Sequence, residues 1–125
     1  MNSRGLLASF YYAFSGIFYG FLTERNLKIH LLAAILTISM GWYLKISSIE
    51  WALVFFAIFL VIVAEFINTA IELTIDMITK NYHPLAKQAK NLAAGAVLLS
   101  AINAVIIGII VFVPYIKMFI RSVYG

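Results

Sequence analysis

Three of the five acidic residues of the chain lie in one short segment, Glu65–Asp76, whose sequence is EFINTAIELTID. The fourteen residues before it, 51–64, carry no charge, so the segment lies where a membrane helix is still inside the bilayer or just leaving it. Its polar side chains recur at offsets of three, four, seven and eleven, which is the spacing of one helical face: Glu65, Asn68, Thr69, Glu72 and Asp76. Carboxylates are costly in a membrane and repel one another, so this stripe predicts a functional site that binds cations.

The acid stripe suits a hard divalent cation. Magnesium usually takes one or two carboxylates and completes its shell with water and substrate phosphates, which nearby lysines would neutralise. The deeper carboxylate, Glu65, could act as a general base toward a hydroxyl presented from the membrane, with Asn68 one turn away to orient it. The pattern therefore predicts phosphoryl transfer from a cytoplasmic nucleotide to a lipid alcohol, in which positioning and charge neutralisation provide most of the catalysis.

Other classes of function use similar acids. Glu65 and Glu72 could serve a small ion or proton transporter, or the stripe could pair with lysines as structural support. Against transport, the acids lie at one end of one helix, and Asn103 is the only strongly polar residue along the outer halves of the predicted spans. Three acids on one face disfavour a purely structural protein. The sequence also lacks a Gly-rich phosphate loop, a Ser–His–Asp arrangement and a His-Glu-x-x-His zinc helix.

The composition indicates an integral membrane protein. Of the 125 residues, 64% are hydrophobic and 11% are charged, and there is no cysteine for disulfides or thiolate metal sites. The apolar runs predict a single all-α membrane domain, with an aromatic-rich amphipathic surface helix over about 2–22 and transmembrane helices over about 27–46, 51–77 and 91–115. Pro84 is expected to be the first residue of a helix. His30 is interpreted as an interfacial polar residue rather than a metal ligand.

The basic residues predict the orientation of the chain. Six fall on one side of the predicted membrane: Arg4, Arg25, Lys28, Lys80, Lys87 and Lys90. Three fall on the other: Lys45, Lys117 and Arg121. The positive-inside rule then puts the N-terminus and the 78–90 loop in the cytoplasm and the C-terminus outside. The net charge of +4 is interpreted as affinity for anionic lipid headgroups and not for nucleic acid, because the basic residues are scattered along the membrane borders.

The acid stripe is also very similar to the signature of a known family. Read as Glu65-x-x-Asn68-Thr69-Ala70-x-Glu72-x-x-x-Asp76, it resembles that of the small prokaryotic diacylglycerol kinases. The resemblance covers about residues 10–115 and continues through Asn81-Tyr82-His83, Ala89-Lys90 and Ala93-Ala94-Gly95-Ala96-Val97. Thr23-Glu24-Arg25-Asn26 and His83-Pro84-Leu85-Ala86-Lys87 resemble the Gram-positive branch, whose members phosphorylate undecaprenol, more than the diacylglycerol-specific branch.

The resemblance implies a homotrimer in the bacterial cell membrane, with active sites shared between subunits and with ATP and Mg²⁺ in use. Glu65 is then the catalytic base, in contact with the lipid substrate, and Asn68 supports it. Glu24, which alone would be interpreted as a surface acid beside Arg25, becomes a metal ligand together with Glu72. The residues implied to contact ATP are Tyr12, Glu24, Glu72, Asn81, His83, Lys90, Asn91 and, near the N-terminus, Arg4.

Two positions depart from the family pattern. Asn91 stands where the family usually has Asp, which removes a carboxylate from the implied nucleotide site. Gly5 stands where the family tends to carry a basic residue, and Arg4 lies one place earlier. We expect the first departure to reduce activity without abolishing it.

Replacing Asn91 by Asp should therefore raise the rate of ATP-dependent lipid phosphorylation, because it restores the missing carboxylate. The comparison is of initial rates for the two proteins over a range of ATP concentrations. Unchanged kinetic constants would show that the departure is neutral.

Overall fold

The computed structural model of the chain describes residues 5–125, which form four α-helices and no strand. The helices are α1 (Gly5–Thr23), α2 (Arg25–Leu44), α3 (Ser48–Ile78) and α4 (Pro84–Tyr124). Each is long and apolar enough to cross a membrane by length and composition. The predicted all-helical fold with several long apolar helices is confirmed. Arg4, an expected nucleotide contact, lies outside the described residues.

Side chains at the helix ends explain why α3 and α4 begin where they do. The Ser47 hydroxyl accepts a hydrogen bond from the Glu50 backbone N–H at 3.3 Å, and the Glu50 carboxylate accepts one from the Ser47 N–H at 2.9 Å. This reciprocal pair satisfies two backbone donors that the first turn of a helix leaves free. At the start of α4, His83 Nδ1 accepts from the Leu85 N–H at 3.1 Å, and Pro84 is the first helical residue, as predicted.

Helix α4 is longer than the membrane segment that the sequence predicts. Its 41 residues span about 60 Å at about 1.5 Å per residue, roughly twice the hydrocarbon thickness of a bilayer. The helix therefore extends past the predicted segment 91–115 at both ends and continues through Pro114. Its N-terminal turns carry Lys87 and Lys90 toward the end of α3, where the acid stripe also ends.

Helices α3 and α4 form an antiparallel pair, which makes most of the tertiary contacts of the described residues. Near the start of α3, the Tyr115 hydroxyl donates a hydrogen bond to the Glu50 carboxylate. Near its end, Lys90 Nζ lies 2.7 Å from Asp76 Oδ1. Polar contacts at both ends therefore fix the register of the pair. A buried apolar cluster fills the space beside the Tyr115 contact: Ile46, Val54, Val111 and Phe112.

Two glycines let helices approach closely. A Cβ atom built on Gly41 would lie 2.9 Å from the Trp51 ring, where α2 turns back toward α3. A Cβ built on Gly20 would overlap Cε1 of Phe66, so α1 approaches α3 at this point with no room for a methyl group. The Phe66 ring is also held edge-on by Phe21, with ring centroids 5.5 Å apart. Phe66 is the residue after Glu65, so this contact bears on the position of the acid stripe.

Gly20→Ala should destabilise the protein by about 1–3 kcal/mol, because the added methyl group forces the Phe66 ring out of its packed position. The measurement is the thermal unfolding midpoint in detergent. Gly16→Ala is the matched control on the same helix, since a Cβ there meets nothing within 4 Å. Equal midpoints for the two variants would contradict the close approach of α1 and α3.

Candidate active site

The centre of the candidate site is a buried carboxylate in the middle of α3. Residues at steps of three and four along this helix are buried: Val54, Ala57, Val61, Glu65 and Asn68. The stripe is thus apolar up to Val61 and polar from Glu65 onward. Within residues 5–125, the buried polar side chains are those of Glu65, Asn68 and Thr69. A carboxylate in such a position needs a polar or charged partner, because its desolvation is otherwise uncompensated.

Helix α2 supplies a partner for this carboxylate. His30 Nε2 lies 3.4 Å from Glu65 Oε1, and the side chains are 26% and 4% exposed, respectively. The interpretation of His30 as an interfacial polar residue missed this contact. The buried residues of α2, Leu27, Ala34 and Gly41, recur every seven positions, and His30 follows Leu27 by three. That spacing on the packed face of α2 was the available signal.

Asn68 connects the buried centre to the next acid of the stripe. Its Nδ2 donates to Glu72 Oε1 at 3.2 Å, so the amide contacts the expected metal ligand, whereas the sequence assigns it to the support of Glu65. Asn68 Oδ1 is buried and has no hydrogen-bond partner within residues 5–125. Buried acceptors of this kind normally receive a hydrogen bond. A hydroxyl group of a bound molecule would satisfy it.

Asn68 also lines an apolar groove between α3 and α4. The groove has a volume of about 900 Å³. Its walls are aliphatic side chains of α3, including Leu60 and Ile67, and small residues of α4, including Ala93 and Ala96. The side chain that carries the lone buried acceptor therefore also lines a space that suits a hydrocarbon chain.

The two expected metal ligands differ in their surroundings. Glu24 lies between α1 and α2 at the position that caps α2, but its side chain makes no capping hydrogen bond. Glu72 is half-buried, with Oε1 bound by Asn68. Within residues 5–125, no three His, Cys, Asp or Glu side chains gather to hold a metal ion. Proteins usually bind Mg²⁺ through one or two carboxylates, and water and phosphate oxygens provide the other ligands. Glu24 and Glu72 are therefore a donor set that fits Mg²⁺.

A separate polar pocket of about 250 Å³ lies where α3 ends and α4 begins. Four of the expected ATP contacts line it: Asn81, His83, Lys90 and Asn91. Lys80 and Lys87 line it as well, and the sequence assignment had missed both. The signal for Lys87 was available, because His83, Lys87 and Lys90 are four and three positions apart and share one helical face. Three lysines around one small pocket suit a polyphosphate.

Within residues 5–125, most of the expected site residues fall into two separate groups. Glu65, Asn68 and Glu72 belong to the buried centre, whereas the lysines belong to the polar pocket. Tyr12, Glu24 and Glu72 do not line that pocket, and Tyr12 is exposed on α1 with its ring against Tyr11. The pair between Lys90 and Asp76 is about half exposed on both sides, so it contributes little stability, about 0–1 kcal/mol. A bound phosphate could therefore draw Lys90 away at small cost.

Comparison with known sequences gives the family. The sequence model described as prokaryotic diacylglycerol kinase matches residues 11–112. The chain belongs to the prokaryotic diacylglycerol kinase family. It is therefore a lipid kinase. The matched range contains every expected site residue except Arg4.

Individual members of the family show how far the likeness extends. The chain is 44% identical to an undecaprenol kinase of Bacillus subtilis over 106 residues, which cover 85% of this chain and 86% of that one. It is 44% identical to a diacylglycerol kinase of Synechocystis over 82% of this chain but only 59% of that one. A diacylglycerol kinase of Escherichia coli is 30% identical over 76% of this chain and 78% of that one.

Lys87→Gln should weaken the binding of inorganic pyrophosphate severalfold, because it removes one of the three positive charges around the polar pocket. Thermal stability should not change, since Lys87 is exposed. Binding is measured by calorimetry on the detergent-solubilised kinase. Lys117→Gln, at the far end of α4, is the matched control and should bind as the unmodified protein does. Equal affinities for the two variants would remove Lys87 from the phosphate site.

Proposed function

We propose that this kinase transfers the γ-phosphate of ATP to the hydroxyl group of undecaprenol, with Mg²⁺ as the metal ion. The observation that carries the proposal is the position of Asn68. This side chain lines the apolar groove, carries a buried acceptor that has no hydrogen-bond partner within residues 5–125, and donates to Glu72. A lipid hydroxyl in the groove would meet this acceptor beside Glu65, and the phosphates would lie toward Glu72 and the lysines.

The chain's own residues supply most of the chemistry. Glu65 accepts the proton of the lipid hydroxyl, as a general base. The hydroxyl oxygen forms a bond to the γ-phosphorus, and the bond from that phosphorus to the bridging oxygen breaks, so that ADP leaves. Lys80, Lys87 and Lys90 offset the negative charge of the phosphates. Held between Glu24 and Glu72, Mg²⁺ would supply further charge neutralisation on the phosphate oxygens.

Further residues would hold the nucleotide. Asn81, His83 and Asn91 line the pocket with the lysines and offer hydrogen-bonding groups to ATP. His83 Nδ1 already accepts from the Leu85 N–H, so His83 Nε2 is the nitrogen that would face the nucleotide. Tyr12 would reach ATP from α1, and Arg4, which lies outside the described residues, is a further proposed contact.

The choice of lipid rests on the relatives and on the groove. The undecaprenol kinase of Bacillus subtilis aligns with 86% of its own length, and the aliphatic groove walls suit a hydrocarbon chain. Diacylglycerol is the second candidate, because the Synechocystis diacylglycerol kinase shares the same 44% identity. Ion transport is disfavoured, since the family consists of kinases.

We propose the homotrimer that the family resemblance implies and the orientation that the basic residues predict. A homotrimer would allow a neighbouring subunit to bring its polar pocket to the buried centre of the first, which explains why one chain holds the site in two parts. The helix α1 would lie on the membrane surface, and α2, α3 and α4 would span the membrane. The N-terminus and the lysine-lined pocket would face the cytoplasm of a bacterial cell, and the C-terminus would lie outside.

Glu65→Gln should lower turnover by at least about 10²-fold, because it removes the general base and keeps the size of the side chain. The assay follows transfer of labelled γ-phosphate from ATP to undecaprenol and, in parallel, to diacylglycerol, in mixed micelles with Mg²⁺. Glu50→Gln is the control, since Glu50 lies at the other end of α3 and contacts Tyr115.

Either of two results would contradict the proposal. Phosphorylation of neither lipid by the unmodified protein would count against its activity as a lipid alcohol kinase, and turnover of Glu65→Gln at the unmodified rate would exclude Glu65 as the base. A clear preference for diacylglycerol would retain the reaction and replace the proposed substrate.

A further inference from the structure

We propose that His30 is a positioning residue for the catalytic base. In this assignment the imidazole donates its Nε2 hydrogen to Glu65 Oε1 and so fixes the carboxylate toward the lipid hydroxyl. The inference rests on the proposed function of Glu65. It adds His30 of α2 to the site, and His30 is neither an expected metal ligand nor an expected nucleotide contact.

The first argument is burial. The Glu65 side chain is 4% exposed, and within residues 5–125 the structure records His30 as the side chain at ion-pair distance from it. The separation of Nε2 from Oε1 is 3.4 Å, longer than a formed hydrogen bond. Contacts of catalytic groups are often long without substrate and shorten in the reactive complex. A small movement of either side chain would complete the bond.

The second argument is that the position of His30 is fixed by the packing of its helix. Leu27, one turn before it, is fully buried, and Ala34, one turn after it, is 7% exposed. These residues hold the packed face of α2 against the bundle, which keeps the backbone of His30 beside α3. The His30 side chain itself is 26% exposed and lies 3.4 Å from Glu65.

The third argument is chemical. A carboxylate has two oxygens, so a donor on Oε1 leaves Oε2 to accept the proton of the substrate. Without a donor, the carboxylate could rotate about its side-chain torsions, and a misplacement of about 1 Å can reduce turnover by about 10²-fold. Asn68 does not provide the donor, because its only amide hydrogen bond within residues 5–125 goes to Glu72. His30 is therefore the group that holds the base.

The kinetic test compares two replacements of similar size. His30→Leu removes the donor and should lower kcat by about 10- to 100-fold while the KM for ATP stays unchanged. His30→Gln keeps an N–H donor near the place of Nε2 and should recover most of kcat. Thr37→Val is the matched control, because Thr37 lies seven residues further on the same face and its hydroxyl donates within its own helix, to the Ala33 carbonyl at 2.8 Å. It should behave as the unmodified protein.

A spectroscopic test does not depend on whether the His30 variants fold. The chain has two histidines, so ¹⁵N signals of the imidazole rings can be assigned with His83→Gln. Glu65→Gln should shift the Nε2 signal of His30, because it replaces a charged acceptor by a neutral amide.

The results separate this inference from the proposed function. Full kcat in His30→Leu, equal losses in His30→Leu and His30→Gln, or an unmoved His30 signal in Glu65→Gln would each overturn the role of His30. Full turnover in Glu65→Gln would instead overturn Glu65 as the base. A rise in the KM for ATP without a change in kcat would place His30 in nucleotide binding and overturn the inference.

Discussion

The burial of the Glu65 carboxylate in the packed stripe of α3 is the constraint on which the rest of the structure depends. A charge at this position is unfavourable unless neighbouring groups compensate it, and the stripe offers only aliphatic side chains before it. In the role proposed for His30, this residue of another helix supplies the compensation. Packing of α2 on α3 therefore positions a polar partner for the buried carboxylate and also buries apolar surface. This is why the face of α2 that carries His30 also carries its buried residues.

The α3–α4 pair brings the acidic and basic ends of the site together. Contacts at both ends of the pair, Tyr115 with Glu50 and Lys90 with Asp76, hold the two helices in one register. Because α4 begins at Pro84, its first two turns place Lys87 and Lys90 beside the last turns of α3. Between these ends, small residues of α4 leave the groove open beside Asn68. The pairing therefore places a phosphate-sized polar pocket and a hydrocarbon-sized groove along the same helix.

Helix α1 is tied to this arrangement at one point. Gly20 packs against Phe66, the residue next to the base, and Leu27 lies against the same glycine. Glu24 follows within one turn, in extended backbone between α1 and α2. The close packing at Gly20 therefore fixes the last turn of α1. It thereby sets the position of Glu24, the first expected metal ligand, which follows this turn. The second, Glu72, is fixed through Asn68 on α3, so the two ligands are positioned by different helices.

The sequence by itself determined the helical membrane class, the acid stripe and the family, because composition, three- and four-residue periodicity and motif spacing are local properties of the chain. It also predicted the start of α4 at Pro84 and grouped Lys80, Lys87 and Lys90 on one side of the membrane. It could not assign partners between helices. The contact of His30 with Glu65, the amide bond of Asn68 to Glu72 and the entry of Lys80 and Lys87 into the pocket depend on helix register, which residues far apart in sequence decide. For the same reason, the division of the site into two parts became visible only in the tertiary structure.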